Sequence, residues 1–271
     1  MRTLTLPDGR SVPALGLGTW YMGESAGTHE AEVRALQTGL DLGMTLIDTA
    51  EMYAEGGAEE VVGDAVQGRR DEVFMPYNAS RKGTITACEA SLRRLGTDHI
   101  DLYLLHWPGS HPLAETIEAF EALQAAGKIG GYGVSNFDVA EMAAWERVAG
   151  TGACQTNQVL YNLSRRGIEW DLMPWARERV IPLMAYSPLE QGRLRDKRLD
   201  SVADKHGVTA MQVALAWVLR DPSIIAIPKA SNPLHVQANN AALELVLDKD
   251  DLALLDRSFP APRQKQALEI L

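Results

Sequence analysis

Three residues at or just past the ends of short apolar runs carry the chemistry open to this sequence. Asp48 closes the run TLID at 45–48, Tyr53 follows it by five residues, and His106 directly follows IDLYLL at 100–105. A carboxylate, a phenol and an imidazole facing one cavity can deliver a proton to an oxygen on which negative charge is developing. Reduction of a carbonyl makes that demand, and it needs a bound hydride donor as well.

Such convergence requires elements that end at a common rim. Apolar runs recur as LGLGT at 15–19, TLID at 45–48, EVFM at 72–75, IDLYLL at 100–105, GYGVS at 131–135, CQTNQV at 154–159, IPLMAY at 181–186 and IIAIP at 224–228. Amphipathic segments separate them. In the third, Ile85, Cys88, Leu92 and Leu95 fall at i, i+3, i+7 and i+10, which predicts one buried helical stripe. Mostly apolar strands joined by helical crossovers imply a parallel sheet covered on both faces. Eight β/α units imply an α/β fold closed as a (β/α)8 TIM barrel, with its site where strands end and βα loops begin. Ahead of the first unit, TLTLPDGRSVPAL holds two extended runs around Pro7-Asp8-Gly9-Arg10, which predicts a β-hairpin across the N-terminal mouth. No Gly/Ser-rich linker or charge block divides the chain, so residues 1–271 read as one domain. The fingerprint GxGxxG is missing after the first strand, which disfavours a Rossmann domain.

With 46% hydrophobic and 23% charged residues, the composition is that of an ordinary globular protein. The 36 acidic against 26 basic residues leave a net charge of −10, which opposes attraction to nucleic-acid phosphates and anionic membranes. The N-terminus lacks a signal-peptide apolar region and no run approaches a membrane span, so a cytoplasmic protein is expected. Cys88 and Cys154 lack metal-ligand spacing and read as buried, reduced thiols.

The strand ends read GLGTW, LIDTAEMYAEGGAEE, DLYLLHWPG, GVSNF, TNQVLYN, AYSPLEQGRL and IPKASNPLHVQANN. As an ordered constellation, from about residue 3 to about residue 262, these closely resemble the aldo-keto reductase family, in particular its short-tailed bacterial methylglyoxal and aldehyde reductases. The resemblance implies NADPH-dependent reduction of small aldehydes and ketones, with Tyr53 as proton donor, His106 orienting the carbonyl oxygen and Asp48 completing the catalytic group. It implies NADPH/NADP+ as cofactor, with NADH weaker, and no metal. Ser135, Asn136 and Gln158 would hydrogen-bond the nicotinamide carboxamide and Tyr186 would stack on its ring. Ser187, Leu189, Gln191 and Gly192 would follow the pyrophosphate, Lys229 would meet the 2′-phosphate and Asn239 the adenine. Gly18, Thr19, Trp20, Asp48, Ile227, Ala230 and Ser231 would complete the cofactor contacts. His235 stands where many members carry an arginine, and a neutral imidazole cannot make the bidentate guanidinium contact. Trp20 and Trp107 would wall the substrate side beside Tyr53 and His106. The short segments HWPGSHPL and PAPRQKQALEIL imply a comparatively open pocket, and a monomer is expected.

One member of the family's catalytic set has no counterpart. A lysine ends the third strand in the family, whereas this chain reads EVFMPYNASRKG there. Pro76 is expected to cut the strand short, which would cost both neighbours backbone partners. NASRKGTI then reads as a helix cap and first turn, with Lys82 toward solvent. Without the ammonium, Asp48 beside Tyr53 makes tyrosinate harder to form. A NADP(H)-binding barrel with weak or no turnover therefore stands as the alternative. A divalent-metal sugar isomerase would need more carboxylates and histidines at strand ends than Asp48 and His106.

Overall fold

The structure, a computed structural model, describes residues 1–79, 83–109 and 111–271, with residues 76–79 described in their backbone only. The chain opens with β1 (Thr3–Thr5) and β2 (Ser11–Pro13). It then runs β3 (Leu17–Gly18), α1 (His29–Asp41), β4 (Ile47–Ala50), α2 (Gly57–Val66), β5 (Pro76–Ala79), α3 (Thr84–Leu95), β6 (Leu102–Leu105), α4 (Leu113–Ala125), β7 (Tyr132–Ser135) and α5 (Val139–Ala149). The second half is β8 (Cys154–Leu160), α6 (Leu172–Glu178), β9 (Leu183–Tyr186), α7 (Lys197–His206), α8 (Ala210–Leu219), β10 (Ile224–Ala226), α9 (Pro233–Ala241) and α10 (Lys249–Ser258).

Strands β3 to β10 pair in chain order, every pair parallel. The sheet closes on itself: Leu15 bridges Ala226 and Gly18 bridges Lys229. At that seam the Gly16 amide donates to the Ala226 carbonyl at 2.9 Å and the Ala226 amide to Ala14 at 2.8 Å. A Cβ at Gly18 would lie 2.6 Å from the Ile227 carbonyl oxygen, so glycine is what allows the approach. The result is the expected barrel, and β6, β7 and β8 are buried at every residue, as strands covered on both faces must be.

Strands β1 and β2 form the expected antiparallel hairpin, Thr3 opposite Pro13. The Asp8 amide donates to Gln155 Oε1 at 2.9 Å, and Arg10 donates to the Asp101 carbonyl at 2.7 Å. Gln155 lies at the start of β8 and Asp101 immediately precedes β6, so the hairpin covers the N-terminal mouth. Several helix starts are written locally: Asp138 with Glu141, Thr209 with Gln212 and Asp248 with Asp251 form reciprocal capping boxes.

Two local expectations are corrected. Pro76 does not end the third barrel strand but begins β5, whose Tyr77 and Asn78 pair with Thr49 and Ala50 of β4 while Pro76–Ala79 pair with Leu102–Leu105 of β6. Asn78 and Ala79 are therefore strand, and α3 starts only at Thr84 with Gly83 as its cap. Two flanking strands impose the ladder on a segment that proline would otherwise interrupt. In α3, Cys88, Leu92 and Leu95 are buried as expected, but Ile85 is exposed, because the buried stripe starts from Thr84 and continues through Cys88, Ser91, Leu92 and Leu95. Burial pushes the Cys88 thiol up to about 11 and that of Cys154 to about 12, so both stay neutral.

Candidate active site

A cleft of about 800 Å³ opens at the C-terminal ends of the strands. Asp48 enters it from β4, where burial is nearly complete and Gln158 Nε2 of β8 donates to Asp48 Oδ1 at 2.7 Å. Tyr53 enters from a one-turn 3-10 segment (Tyr53–Gly56) in which Ala54, Glu55 and Gly56 have φ of 51°, 53° and 99°. Left-handed backbone at two non-glycine residues costs of order 1–3 kcal/mol each and persists only under external support. Two contacts brace this turn. Arg94 of α3 is ion-paired to the fully buried Glu59 of α2, which fixes the helix that follows the turn. Gly23 packs so close to Gly57 that a Cβ would fall 2.2 Å from the Gly57 carbonyl carbon, which locks the Trp20 loop against the same turn. The far end of that loop is held by Glu32, whose carboxylate accepts from the Gly23 amide at 2.9 Å.

The rings form a continuous wall. Trp20 lies 6.4 Å from Tyr53, Tyr53 meets His106 edge-on at 6.5 Å, and His106 lies 4.5 Å from Trp107. His106 directly follows β6, and its carbonyl accepts from Asn136 Nδ2 at 3.0 Å. Its Nδ1 is buried with no hydrogen-bond partner among the described residues. Burial lowers its pKa to about 4, so the imidazole is neutral near pH 7. Burial, reinforced by the charge of Asp48, holds the Tyr53 phenol well above its ordinary range, so Tyr53 is a neutral proton donor. Burial also raises Asp48 to about 7, against the opposing hydrogen bond from Gln158.

On the same floor Ser135 Oγ donates to the Gln158 carbonyl at 2.9 Å, and Tyr186 Oη donates to Asn136 Oδ1 at 3.1 Å. Farther along, Ser187, Leu189, Gln191 and Gly192 line the cleft, then Lys229 and Ala230 after β10 and His235 and Asn239 on α9. Of the residues predicted for the site, Ser231 alone falls outside the lining, because the chain there turns away to let Asn232 cap α9. Lys82 lies outside the described residues. Among the described residues no cluster of three or more His, Cys, Asp or Glu is placed to hold a metal ion.

Sequence reasoning missed Tyr21 and Met52 beside the aromatic wall, Thr209, Met211 and Gln212 at the start of α8, and Ile270 and Leu271. Tyr21 adjoins Trp20 and could have been found, whereas the α8 residues read only as a helix start. The segment after α10, expected to leave the pocket open, folds back until the Leu271 amide lies 3.4 Å from Tyr186 Oη. Its last two residues wall one side.

The state of Asp48 has a measurable consequence for stability. The folded protein holds this proton up to about pH 7, while the unfolded chain releases it near pH 4, so stability from this group is complete below about pH 4 and is lost as pH rises through 7. Asp48→Asn escapes that loss. The variant is expected to gain on the parent by up to about 4 kcal/mol at pH 8 and by little at pH 4. Thermal or urea unfolding of both proteins across this range tests it, and a pH-independent difference would refute the raised pKa.

Residues 14–259 match the sequence profile described as the Aldo/keto reductase family. The methylglyoxal reductase YeaE of Escherichia coli (strain K12) is 53% identical over 272 residues, covering 96% of each chain. An aldo/keto reductase of Klebsiella pneumoniae solved with NADP and acetate is 50% identical, with a TM-score of 0.95 and 99% of each chain covered. An aldo-keto reductase from the same organism solved with NADPH is likewise 50% identical, with a TM-score of 0.95 and 100% of each chain covered.

Proposed function

Because the chain belongs to the aldo/keto reductase family, we propose that it is an NADPH-dependent reductase of small aldehydes and ketones, methylglyoxal-like dicarbonyls among them. The observation that carries this reading is the convergence of Asp48, Tyr53 and His106 at one end of a cleft whose other end holds Lys229, His235 and Asn239. The relatives solved with NADP and NADPH support the cofactor assignment.

The donor set suits a dinucleotide. Ser135, Asn136 and Gln158 offer a hydroxyl and two amides to a carboxamide, Tyr186 offers a half-buried ring face, and Lys229 offers an exposed ammonium to a 2′-phosphate. Thr19 Oγ1 is buried in the lining without a partner among the described residues, a hydroxyl ready for a ligand. When bound, NADPH supplies the hydride. The chain does the rest. Trp20 and Trp107 hold a small carbonyl against the aromatic wall and exclude water from it. His106, neutral, hydrogen-bonds the carbonyl oxygen, and Tyr53 gives that oxygen its proton as charge develops. Asp48, buried beneath them, keeps Gln158 in place through the 2.7 Å hydrogen bond.

The absence of lysine among the described residues of β5 favours a second reading, a barrel that binds NADP(H) with weak or no turnover. Loss of NADPH absorbance with methylglyoxal, with NADPH binding followed in parallel by fluorescence, separates the two. Turnover establishes the reductase, and tight binding without turnover establishes the alternative. We further propose that residues 1–271 work as one domain, as a monomer in the cytoplasm. Among the described residues no helix is long and apolar enough to cross a membrane.

Cofactor preference provides another test. Lys229 is expected to make NADPH bind more tightly than NADH by about 1–3 kcal/mol, the scale of a charge-assisted phosphate contact. Titration of both cofactors at fixed salt decides the matter: equal affinities remove Lys229 from the phosphate.

A further inference from the structure

Two walls of the cleft are tied by one side chain that belongs to neither. The loop after β9 carries left-handed backbone at Ser187, Glu190 and Gln191, with φ of 46°, 47° and 54°. Unlike its cleft-lining neighbours, Glu190 is buried away from the cleft, and its carboxylate accepts from Asn162 at 2.8 Å and from Arg165 at 3.1 Å. Asn162 also donates to the Ser187 carbonyl at 3.0 Å, so the loop is clamped at both ends of its strained stretch. The same Arg165 guanidinium donates from its other nitrogen to Glu269 Oε1 at 2.7 Å. Two residues beyond Glu269, the Leu271 amide reaches Tyr186 at the carbonyl end.

We propose that Arg165 is a positioning residue that couples the nucleotide side of the cleft to its carbonyl side. Through Glu190 it fixes the loop that follows the nucleotide, and through Glu269 it fixes the segment that walls the substrate. The proposal rests on the assignment above of NADPH and carbonyl to the two ends of the cleft. It makes Glu269, which lines no part of that cleft, a determinant of carbonyl binding that acts only through Arg165.

The test is a mutant cycle on the full chain, with methylglyoxal KM and kcat from NADPH consumption and NADPH Kd from fluorescence. Glu269→Gln cuts only the substrate arm. It is expected to raise KM about 3- to 10-fold with kcat and NADPH Kd within about twofold of the parent. Arg165→Gln cuts both arms and is expected to raise KM at least as far and NADPH Kd about 3- to 10-fold. The double variant is expected to match Arg165→Gln in KM, and Arg165→Lys, which keeps the charge but not the planar fork of donors, to recover part of the NADPH affinity. An unchanged KM in Glu269→Gln overturns the coupling, as does a double variant whose KM effects multiply. The Glu269→Gln arm suffices if loss of the Glu190 partner unfolds Arg165→Gln, because Glu269 lies on a partly exposed segment. A parent protein that fails to bind NADPH refutes the assignment of the cleft itself, a result distinct from an unmoved KM in a protein that binds it.

Discussion

Tyr53→Phe is expected to reduce carbonyl reduction by about 10³-fold or more while leaving NADPH Kd within about twofold. General acid catalysis is worth about 10² to 10⁴ in rate, and the phenol keeps its proton across the whole working pH range because its surroundings hold it neutral. His106 cannot replace it, because a neutral imidazole is a poor acid and burial keeps the ring unprotonated down to about pH 4. Among the described residues at this end of the cleft, Asp48 is the competitor. With its proton retained to about pH 7 it could supply a residual activity in the variant, and that residue of rate would disappear as pH rises past 7. Steady-state rates across pH, with NADPH binding by fluorescence, decide the assignment. A Phe variant that keeps more than about a tenth of the activity at pH 8 removes Tyr53 from the reaction.

Asn78→Lys is expected to accelerate the enzyme by up to about 10² to 10⁴, the span of acid–base catalysis. The register identifies the position. Asn78 pairs with Ala50, two residues beyond Asp48, and with Leu104, two residues before His106. With the two-residue period of a strand, a lysine at that position starts from the face that carries both groups. Its ammonium would lower the Asp48 pKa and ease formation of tyrosinate, so alcohol oxidation should gain more than reduction. In the parent, oxidation is expected to stay undetectable until well above about pH 9, because burial and Asp48 both hold the Tyr53 proton. Because β5 is already in register, a point substitution suffices and no inserted residues are needed. Rates in both directions, unchanged by the substitution, would show that the ammonium was never limiting.

The site was legible where chemistry follows an apolar run. His106, Ser135 and Tyr186 stand at or just past strand ends, which a barrel sends to one rim whatever the details of packing, whereas Asp48, read as the end of its run, lies inside β4 two residues before that strand closes. The third strand was misread because proline is a local breaker, while its pairing is imposed by β4 and β6, which are distant in sequence. Thr209 and Gln212 announced a helix start but not its neighbour across space. The reach of Ile270 and Leu271 depends on Arg165 and on the Lys265–Asp171 pair at 3.1 Å, contacts between segments about 100 residues apart that no local pattern encodes.

Pro76 leaves a mark on the barrel beyond its sequence. Phe74 gives its N–H and its carbonyl to the β4 side, and Met75 gives its carbonyl to Leu102, so by alternation the Pro76 nitrogen faces Ile47, the residue before Asp48. Proline has no hydrogen to offer there, and a closed ring has no free edge onto which the loss could be displaced. Early local opening is therefore expected at this seam. Amide protons of β4 are expected to exchange with solvent ahead of those in β8 and β9, whose register runs unbroken from Asn157 opposite Leu183 to Leu160 opposite Tyr186. The carboxyl at the centre of the site thus rides on a strand whose pairing with β5 lacks one backbone donor, and its environment is expected to loosen early under heat or denaturant.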